Sequence, residues 1–263
     1  PFFLSMLGSI TRACAKKGYD LLVSFQQSSD DWHADFEDSK KADGLILLGY
    51  GDFVDYEEKL IKLSEQNTHF IRWGAKVAGD NIVSVGCDNY QGGYQVTEHV
   101  IKNGRKHFAF LGDASSHSPE FLERYKGHCQ ALLDNQLSVI NDLKVDATSI
   151  EESGYQAACQ LIARNIKFDA IMAASDLIAI GAMRALQEHN IKIPEQVAVV
   201  GFDDIAVASF TLPSLTTAKQ DTMLAGELLV DNLIALINGE KPITSLIPTT
   251  LIVRKSCGSV GEQ

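Results

Sequence analysis

Short apolar runs alternate with amphipathic segments along almost the whole chain. The runs are rich in Val, Ile and Leu, as expected for strands that are buried on both faces of a sheet. They predict strands at DLLVSF, DGLILLG, HFIRWG, NIVSVGC, HFAFLGD, DAIMAAS and VAVVGFDD, and a last strand pattern covers 246–253. Because strands and helices alternate over this length, we expect an α/β fold with parallel sheets and right-handed crossovers.

Helical periodicity fills the intervals between these runs. The predicted helices cover 4–18, 55–67, 89–103, 118–137, 149–165, 176–190 and 221–238. Gly18 and Gly104 stand where helices end, and Ser149 and Asp176 stand where N-caps belong. One sheet would need too many strands. The pattern therefore predicts two doubly wound parallel-sheet subdomains, 1–87 with 220–245 and 88–219 with 247–258.

Composition narrows the class of protein. The 263 residues suffice for two domains, and 45% hydrophobic with 22% charged residues is typical of a soluble globular chain. The net charge of −11 argues against a general nucleic-acid-binding surface on this chain. No apolar run is long enough to cross a bilayer, and the first residues lack the pattern of a signal peptide. We therefore expect no membrane association.

The five cysteines are odd in number, and no CxxC pair occurs among them. The sequence therefore argues against zinc ribbons and dithiol redox sites. Cys129 and Cys159 lie in apolar helical patterns and are expected in the core. Free thiols favour a cytoplasmic location, although periplasmic proteins can also carry them.

The stretch VAVVGFDDIA ends a buried strand on two adjacent aspartates, Asp203 and Asp204. Parallel strands in doubly wound sheets point their carboxyl ends at the ligand crevice. We expect Asp203 to face a ligand and Asp204 to cap the next helix or shape the turn. On residue type alone, helix capping by either aspartate is the more common role.

Other candidate ligand groups also lie at strand ends and helix starts. Trp73 ends the strand HFIRW, where a flat aromatic ring can stack on a sugar. Arg124 lies in the first turns of the helix after FLGD, where a clamp on a polar ligand is plausible. Phe2 and Phe3 begin the first helix. The alternatives are core packing for the aromatic residues and a surface salt bridge for the arginine.

Catalytic and cofactor motifs are missing from the sequence. It contains no GxGxxG, GxxxxGK[ST], GxSxG or HExxH, and the seven histidines are not spaced for a metal. We therefore expect no enzyme, no catalytic residue, no cofactor and no metal site.

Several segments together resemble one family in order and spacing. They are ERYKG, VDATSIEESGYQAACQLI, the run from FDAIMAASDLIAIG to SLTTAKQD at 168–221, and LIVRKS. VGCDNYQGGYQVTEHVIKNGRKHFAFLG and the opening PFF fit the same pattern. The chain resembles the effector-binding core of the lactose-repressor (LacI/GalR) family of bacterial transcription regulators over nearly its whole length, most specifically at 168–220.

The resemblance implies a periplasmic-binding-protein-like type I fold, with two subdomains joined by three crossovers and a ligand cleft between them. It implies a cytoplasmic homodimer that binds a small-molecule effector. Operator DNA would be bound through a helix-turn-helix headpiece, which this sequence does not contain. The family's first core strand, which precedes PFF, is likewise not in this sequence.

The resemblance also carries ligand-binding positions onto this chain. Trp73 falls where a polar or acidic contact is common. Two positions depart from the sugar-repressor pattern, since Ser175 stands where Asn is frequent and Ser149 or a neighbour stands where the family often has an aromatic wall residue. The predicted ligand residues are Phe2, Phe3, Trp73, Arg124, Ser175, Asp203 and Gln220.

The resemblance predicts the core of a transcription regulator that senses a sugar-like molecule. The alternative from another class is a periplasmic sugar-binding protein of a transporter, which shares the fold.

Overall fold

Two units make up the chain in a computed structural model that describes residues 1–25, 41–49, 53–65, 68–75 and 82–258. The first unit comprises Pro1–Cys87 with Asp221–Ile247, and the second comprises Asp88–Gln220 with Pro248–Gln263. The chain therefore passes between them three times. That the two units act as subdomains around one ligand stays a prediction.

The described residues form ten strands and seven α-helices. The helices are α1 (Phe2–Lys17), α2 (Phe53–Glu65), α3 (Asn89–Lys102), α4 (Pro119–Asp134), α5 (Glu151–Ala163), α6 (Asp176–Glu188) and α7 (Thr222–Ile237). The strands are β1 (Leu45–Leu48), β2 (Phe70–Trp73), β3 (Ser84–Cys87), β4 (Phe108–Leu111), β5 (Lys144–Val145), β6 (Ala170–Ala173), β7 (Ala198–Asp203), β8 (Thr216–Lys219), β9 (Ser245–Ile247) and β10 (Thr250–Ile252).

The first unit has a parallel sheet in the order β1-β2-β3-β9. Leu60 and Leu63 of α2 pack with Phe70 of β2 in its core. Helices α1 and α7 approach closely because Gly226 has no side chain, and a Cβ there would overlap Ser9. The apolar side chains of the strands thus pack against the helices that cover the sheet, as an α/β fold requires.

The second unit has a six-stranded sheet in the order β10-β8-β7-β6-β4-β5. All pairs are parallel except β10 with β8, which is antiparallel. The parallel-dominated α/β architecture confirms the predicted fold class. Buried strands such as β4, β6 and β7 are nearly continuous apolar runs because helices cover parallel sheets on both faces.

Glycines let the helices of the second unit pack in close pairs. A Cβ at Gly93 of α3 would overlap the backbone carbonyl of Arg124, and one at Gly127 of α4 would overlap that of Tyr90. The pair α5 and α6 is built in the same way around Gly154 and Gly181. Small residues at these crossings bring the helix backbones into contact.

Two strand predictions were wrong. The residues of DLLVSF, 20–25, form no strand, and Leu22 is 67% and Phe25 92% exposed. A strand needs a ladder partner, and the part of the chain that the structure describes pairs none with it. The expected strand at 246–253 is two strands, because the chain leaves the first sheet after β9 and enters the second at β10. Strands β5 and β8 were not predicted, because β5 has only two residues and β8 has the sequence TTAK, which is not an apolar run.

The predicted N-caps were also wrong. Ser175, not Asp176, caps α6 by accepting a hydrogen bond from the Ile178 N–H at 3.3 Å. Asp176 is the first helical residue and is fully buried. Ile150 precedes α5 without a side-chain cap, and Ser149 Oγ instead donates to Ser175 Oγ at 3.0 Å.

The expected burial of Cys129 and Cys159 was wrong as well. Both are only partly buried, whereas Cys14, Cys87 and Cys257 are buried. Cys129 and Cys159 occupy the margins of their helices' apolar faces, which the sequence pattern alone does not separate from the centre.

His128 makes the stability of the fold depend on pH. It is buried among aromatic rings, Nδ1 lies 2.9 Å from Thr97 Oγ1, and burial lowers its pKa to about 3. Below the unfolded pKa of about 6.5, the unfolded chain therefore binds a proton that the folded chain refuses. Stability is lost as the pH falls from that value.

We expect His128→Gln to remove this loss, because an amide keeps a partner for Thr97 and does not titrate. Between pH 7 and pH 5.5 the wild type should lose about 1 kcal/mol more unfolding free energy than the variant. Urea melts at the two pH values measure the difference. The exposed His117→Asn variant should follow the wild type, and parallel pH profiles for wild type and His128→Gln would contradict the expectation.

Candidate ligand-binding site

The carboxyl end of β7 has an unusual backbone. The strand buries its first five residues and then reaches Asp203. Asp203 has φ of 121° and Asp204 has φ of 55°. Residues other than glycine rarely adopt positive φ, and neighbouring structure has to hold them there. The strand therefore ends on two aspartates whose positions are specifically fixed.

Asp203 lies in a group of three predicted ligand residues. Its Oδ1 accepts a hydrogen bond from Gln220 Nε2 at 2.6 Å and lies 3.6 Å from Arg124 Nη1. The side chains of Asp203 and Arg124 are 11% and 6% exposed. Three residues that are far apart in the sequence thus form one polar cluster in the second unit.

Arg124 is fixed on every side. Its Nε donates to Asn89 Oδ1 at 2.8 Å, and Nη1 donates to the Ala174 carbonyl at 2.5 Å. The guanidinium carbon lies 3.7 Å from the centre of the Phe202 ring, which is a cation–π contact. The start of α3, the end of β6 and the end of β7 together hold this cation at one place.

Burial shapes the charge of the cluster. It raises the pKa of Asp203 to about 6, against the opposing effects of Arg124 and Gln220. Burial and the nearby Asp203 also hold the pKa of Asp176 well above its usual range. Asp176 accepts from Thr217 Oγ1 at 2.6 Å and from the Ile205 N–H at 2.9 Å. A carboxylate in such surroundings gains strongly from a ligand that donates hydrogen bonds.

Gln220 offers a second acceptor. Its Nε2 donates to Asp203, whereas its buried Oε1 has no hydrogen-bond partner in the part of the chain that the structure describes. Buried polar atoms without partners are rare and call for an explanation. A ligand hydroxyl or amine could supply the missing donor.

Ser175 forms its hydrogen bonds with residues outside this cluster. It is 1% exposed, and its Oγ serves the N-cap of α6 and accepts from Ser149. Its predicted ligand contact stays a prediction.

The predicted aromatic residues come together in the first unit. The ring centres of Phe2 and Trp73 are 5.9 Å apart, and those of Phe2 and Phe3 are 5.4 Å apart in an edge-to-face contact. Trp73 is 6% and Phe3 47% exposed. Phe3 also packs over Gly49, where a Cβ would lie 3.2 Å from its ring. The three form one aromatic cluster at the start of α1 and the end of β2.

Sequence reasoning missed several supporting residues. They are Asn89, Phe202 and Thr217, which hold Arg124 or Asp176, and Arg254, which binds Asp204. Thr217 and Arg254 lie inside the quoted motifs SLTT and LIVRKS, which were the available signal. Asp204 was expected to cap the next helix or shape the turn. Capping is wrong, because its carboxylate pairs with Arg254 and Ile205 takes the cap position of the following 3-10 turn, whereas the positive φ of Asp204 belongs to the turn itself.

Across the described ranges, His, Cys, Asp and Glu form no group of three or more that could hold a metal ion. None of the helices described is both long and apolar enough to span a bilayer.

Comparison with known proteins decides the family. The profile of the periplasmic binding protein-like domain matches residues 97–257, more than half of the chain. The AscG regulator of Escherichia coli is 28% identical over 90% of this chain and 71% of its own length. The PurR repressor of Histophilus somni is 25% identical over 97% of this chain and 78% of its own length. The chain belongs to the LacI family of transcription regulators.

Solved LacI-family structures share the fold. The regulator CelR in complex with cellobiose superposes with a TM-score of 0.89 at 27% identity, covering 97% of this chain and 79% of CelR. The AscG repressor of Escherichia coli superposes with a TM-score of 0.79 at 27% identity, covering 97% and 94%. This LacI-family chain is thus the regulatory core of a transcription regulator. The periplasmic transport alternative is not favoured, and the relatives are regulators rather than enzymes.

Proposed function

We propose that the chain senses a neutral sugar, a mono- or oligosaccharide, through Asp203, Gln220 and Arg124. The observation that carries the proposal is the pair of acceptors formed by the largely buried Asp203 carboxylate and the buried Gln220 Oε1, which has no partner among the described residues. Sugar hydroxyls are donors that suit both atoms. Arg124, fixed over Phe202, offers donors to ring and hydroxyl oxygens.

The charges favour a neutral ligand. A phosphate or carboxylate would meet the Asp203 carboxylate, and Arg124 already lies beside Asp203. The aromatic cluster of Phe2, Phe3 and Trp73 supplies a flat apolar surface of the kind that packs on sugar rings. Use of that cluster and of Ser175 by the same ligand stays a prediction. A nucleobase is the second candidate, because it too can stack and donate.

Cellobiose is the first sugar to test, because CelR, whose structure was solved with cellobiose, is similar in fold and sequence. We expect calorimetry to give saturable binding of cellobiose or of another neutral sugar in a panel, and no response to purine bases. The ligand should be recovered unchanged, since we propose sensing without catalysis or a cofactor. Tight purine binding with no response to any sugar would make a nucleobase, and not a sugar, the favoured ligand.

We propose that the protein acts in the cytoplasm, where a regulator meets its operator. Contact with operator DNA is assigned to a helix-turn-helix headpiece outside this sequence, consistent with the net charge of −11.

We also propose a homodimer. The turn between β7 and β8 exposes large apolar side chains, with Phe210 81% and Leu212 83% exposed. The turn is held in place, since Gln187 Nε2 donates to the Leu212 carbonyl at 2.6 Å and Thr211 Oγ1 to the Pro213 carbonyl at 2.8 Å. A fixed exposed apolar surface fits a second copy of the chain, as the family resemblance implies.

The double substitution Phe210→Glu with Leu212→Glu should turn the dimer into a monomer at micromolar concentration. Buried like charges would face each other across a two-fold interface, and apolar burial would be lost. Light scattering measures the mass. Leu133→Glu, at a residue 58% exposed elsewhere on the second unit, should leave the dimer intact. A wild-type monomer, or a dimer that survives the double substitution, would contradict the proposal.

A further inference from the structure

The motif LIVRKS runs through β10 and ends in a segment that reaches back to the aspartate pair. Arg254 Nη2 donates to Asp204 Oδ1 at 2.6 Å, and Nη1 donates to the Leu215 carbonyl at 2.8 Å. The side chains of Arg254 and Asp204 are 19% and 14% exposed. This ion pair is not one of the proposed ligand contacts, and the strand pattern of the sequence did not predict it.

The segment that carries Arg254 is itself firmly attached. Ser256 Oγ donates to the Val199 carbonyl at 2.5 Å and accepts from the Thr216 N–H at 2.9 Å. The Arg254 N–H donates to Thr216 Oγ1 at 2.8 Å. The guanidinium therefore extends from a backbone that is bonded to both β7 and β8.

The backbone at Asp203 and Asp204 needs such a support. Both have positive φ, a conformation that persists in residues other than glycine only where the surroundings enforce it. The Asp204 N–H donates to Thr217 Oγ1 at 3.4 Å, and the Ile205 N–H donates to Asp176 Oδ2 at 2.9 Å. Arg254 adds a charge-assisted bond to the Asp204 side chain.

We propose that Arg254 is a positioning residue for effector recognition: by holding Asp204, it fixes the turn that aims the Asp203 carboxylate at Gln220 and Arg124. The proposal rests on the proposed function, in which Asp203 binds the effector. Arg254 needs no contact of its own with the effector. A purely structural arginine would change stability and leave Asp203 as it is.

The decisive measurement is the titration of the Asp203 carboxyl by ¹³C NMR on the ligand-free chain, with Asp203→Asn to assign the signal. In Arg254→Gln the pKa of Asp203 should fall from about 6 toward the 3.8 of an unburied aspartate, because the freed turn releases the carboxylate from burial. Loss of a positive charge alone would raise that pKa. A fall therefore reports repositioning. A rise with shifted Gln220 side-chain amide signals also reports it, because separation from Gln220 and Arg124 raises the pKa of Asp203. No change, or a rise with unchanged Gln220 amide signals, overturns the proposal.

Cellobiose, or the sugar found by calorimetry, provides the second readout. Arg254→Gln should weaken its binding by about tenfold or more, the size expected when a hydrogen bond to a charged group is lost. Arg164→Gln is the matched control, because Arg164 binds the Asp142 and Lys144 carbonyls away from the cluster. It should leave affinity and the Asp203 titration unchanged.

The outcomes separate the two proposals. If the wild type binds no sugar, the proposed function fails, and the titration alone decides the role of Arg254. If Arg254→Gln does not fold, Asp204→Ala decides, because it removes the acceptor that Arg254 holds and keeps the bond of Arg254 to Leu215. Faster amide hydrogen exchange at positions 204 and 205 in that variant supports the positioning role, and unchanged exchange overturns it.

Discussion

Asp203→Asn is expected to weaken sugar binding by roughly 1.5–3 kcal/mol, about ten- to more than a hundredfold, the range for hydrogen bonds to charged groups. The amide keeps the shape of the carboxylate but loses its charge and one acceptor. It also disturbs the bond from Gln220 Nε2 at 2.6 Å, on which the position of the second acceptor depends. Calorimetry with cellobiose, or with the sugar that the panel identifies, measures the loss.

The same substitution should leave the fold nearly as stable as before. The folded pKa of Asp203 is raised by burial to about 6, so its stabilising contribution is present below the unfolded value of 3.8 and is lost as pH rises through 6. At neutral pH the variant removes a buried negative charge, and the burial of that charge lowers the unfolding free energy of the wild type. Asp146→Asn, at an exposed carboxylate paired with Lys144, should change neither affinity nor stability. If Asp203→Asn binds sugar normally and melts early, the carboxylate only ends its strand.

Gly127→Val should be among the most destabilising substitutions in the second unit, lowering the unfolding free energy by about 3 kcal/mol. A Cβ at this position would overlap the Tyr90 carbonyl, and backbone atoms cannot turn aside as a flexible side chain can. Helix α4 would have to move away from α3 along its length. Urea melts of the variant and the wild type measure the difference.

Lys126→Val is the matched control for this helix. It places the same β-branched side chain at the preceding position, which is exposed. The weak helix propensity of valine and the loss of the exposed ion pair with Glu123 are both small effects, and the loss should stay below about 1 kcal/mol. Equal losses for the two variants would show that the close α3–α4 contact is unimportant.

The fold class was predictable because strand and helix periodicity are local properties of the sequence. The end of β7 at Asp203 and that of β2 at Trp73 could be read from apolar runs and the residues that follow them. The segment DLLVSF has the same local character, but pairing requires a partner strand, which periodicity does not reveal. Propensity could therefore place strand ends but not guarantee every strand.

The candidate site was only half predictable for the same reason. Asp204 followed a strand and preceded a helical turn, so capping was the natural local prediction. Its actual partner, Arg254, is fifty residues further along the chain, and only the fold brings the two together. Asp176 likewise looked like a helix cap from its local sequence. Its contacts with Thr217 and Ile205 could not be predicted, because they depend on the order of strands in the sheet.

The close contact of α3 and α4 constrains how new effector specificities could be engineered. A Cβ at Gly93 would overlap the backbone of Arg124, so this crossing sets the point from which the guanidinium extends. Mutant libraries that vary α3 and α4 would displace the cation together with the helices. Biosensor variants are better sought at Gln220 and its neighbours at strand ends, where side chains can be exchanged while the helix layer stays unchanged.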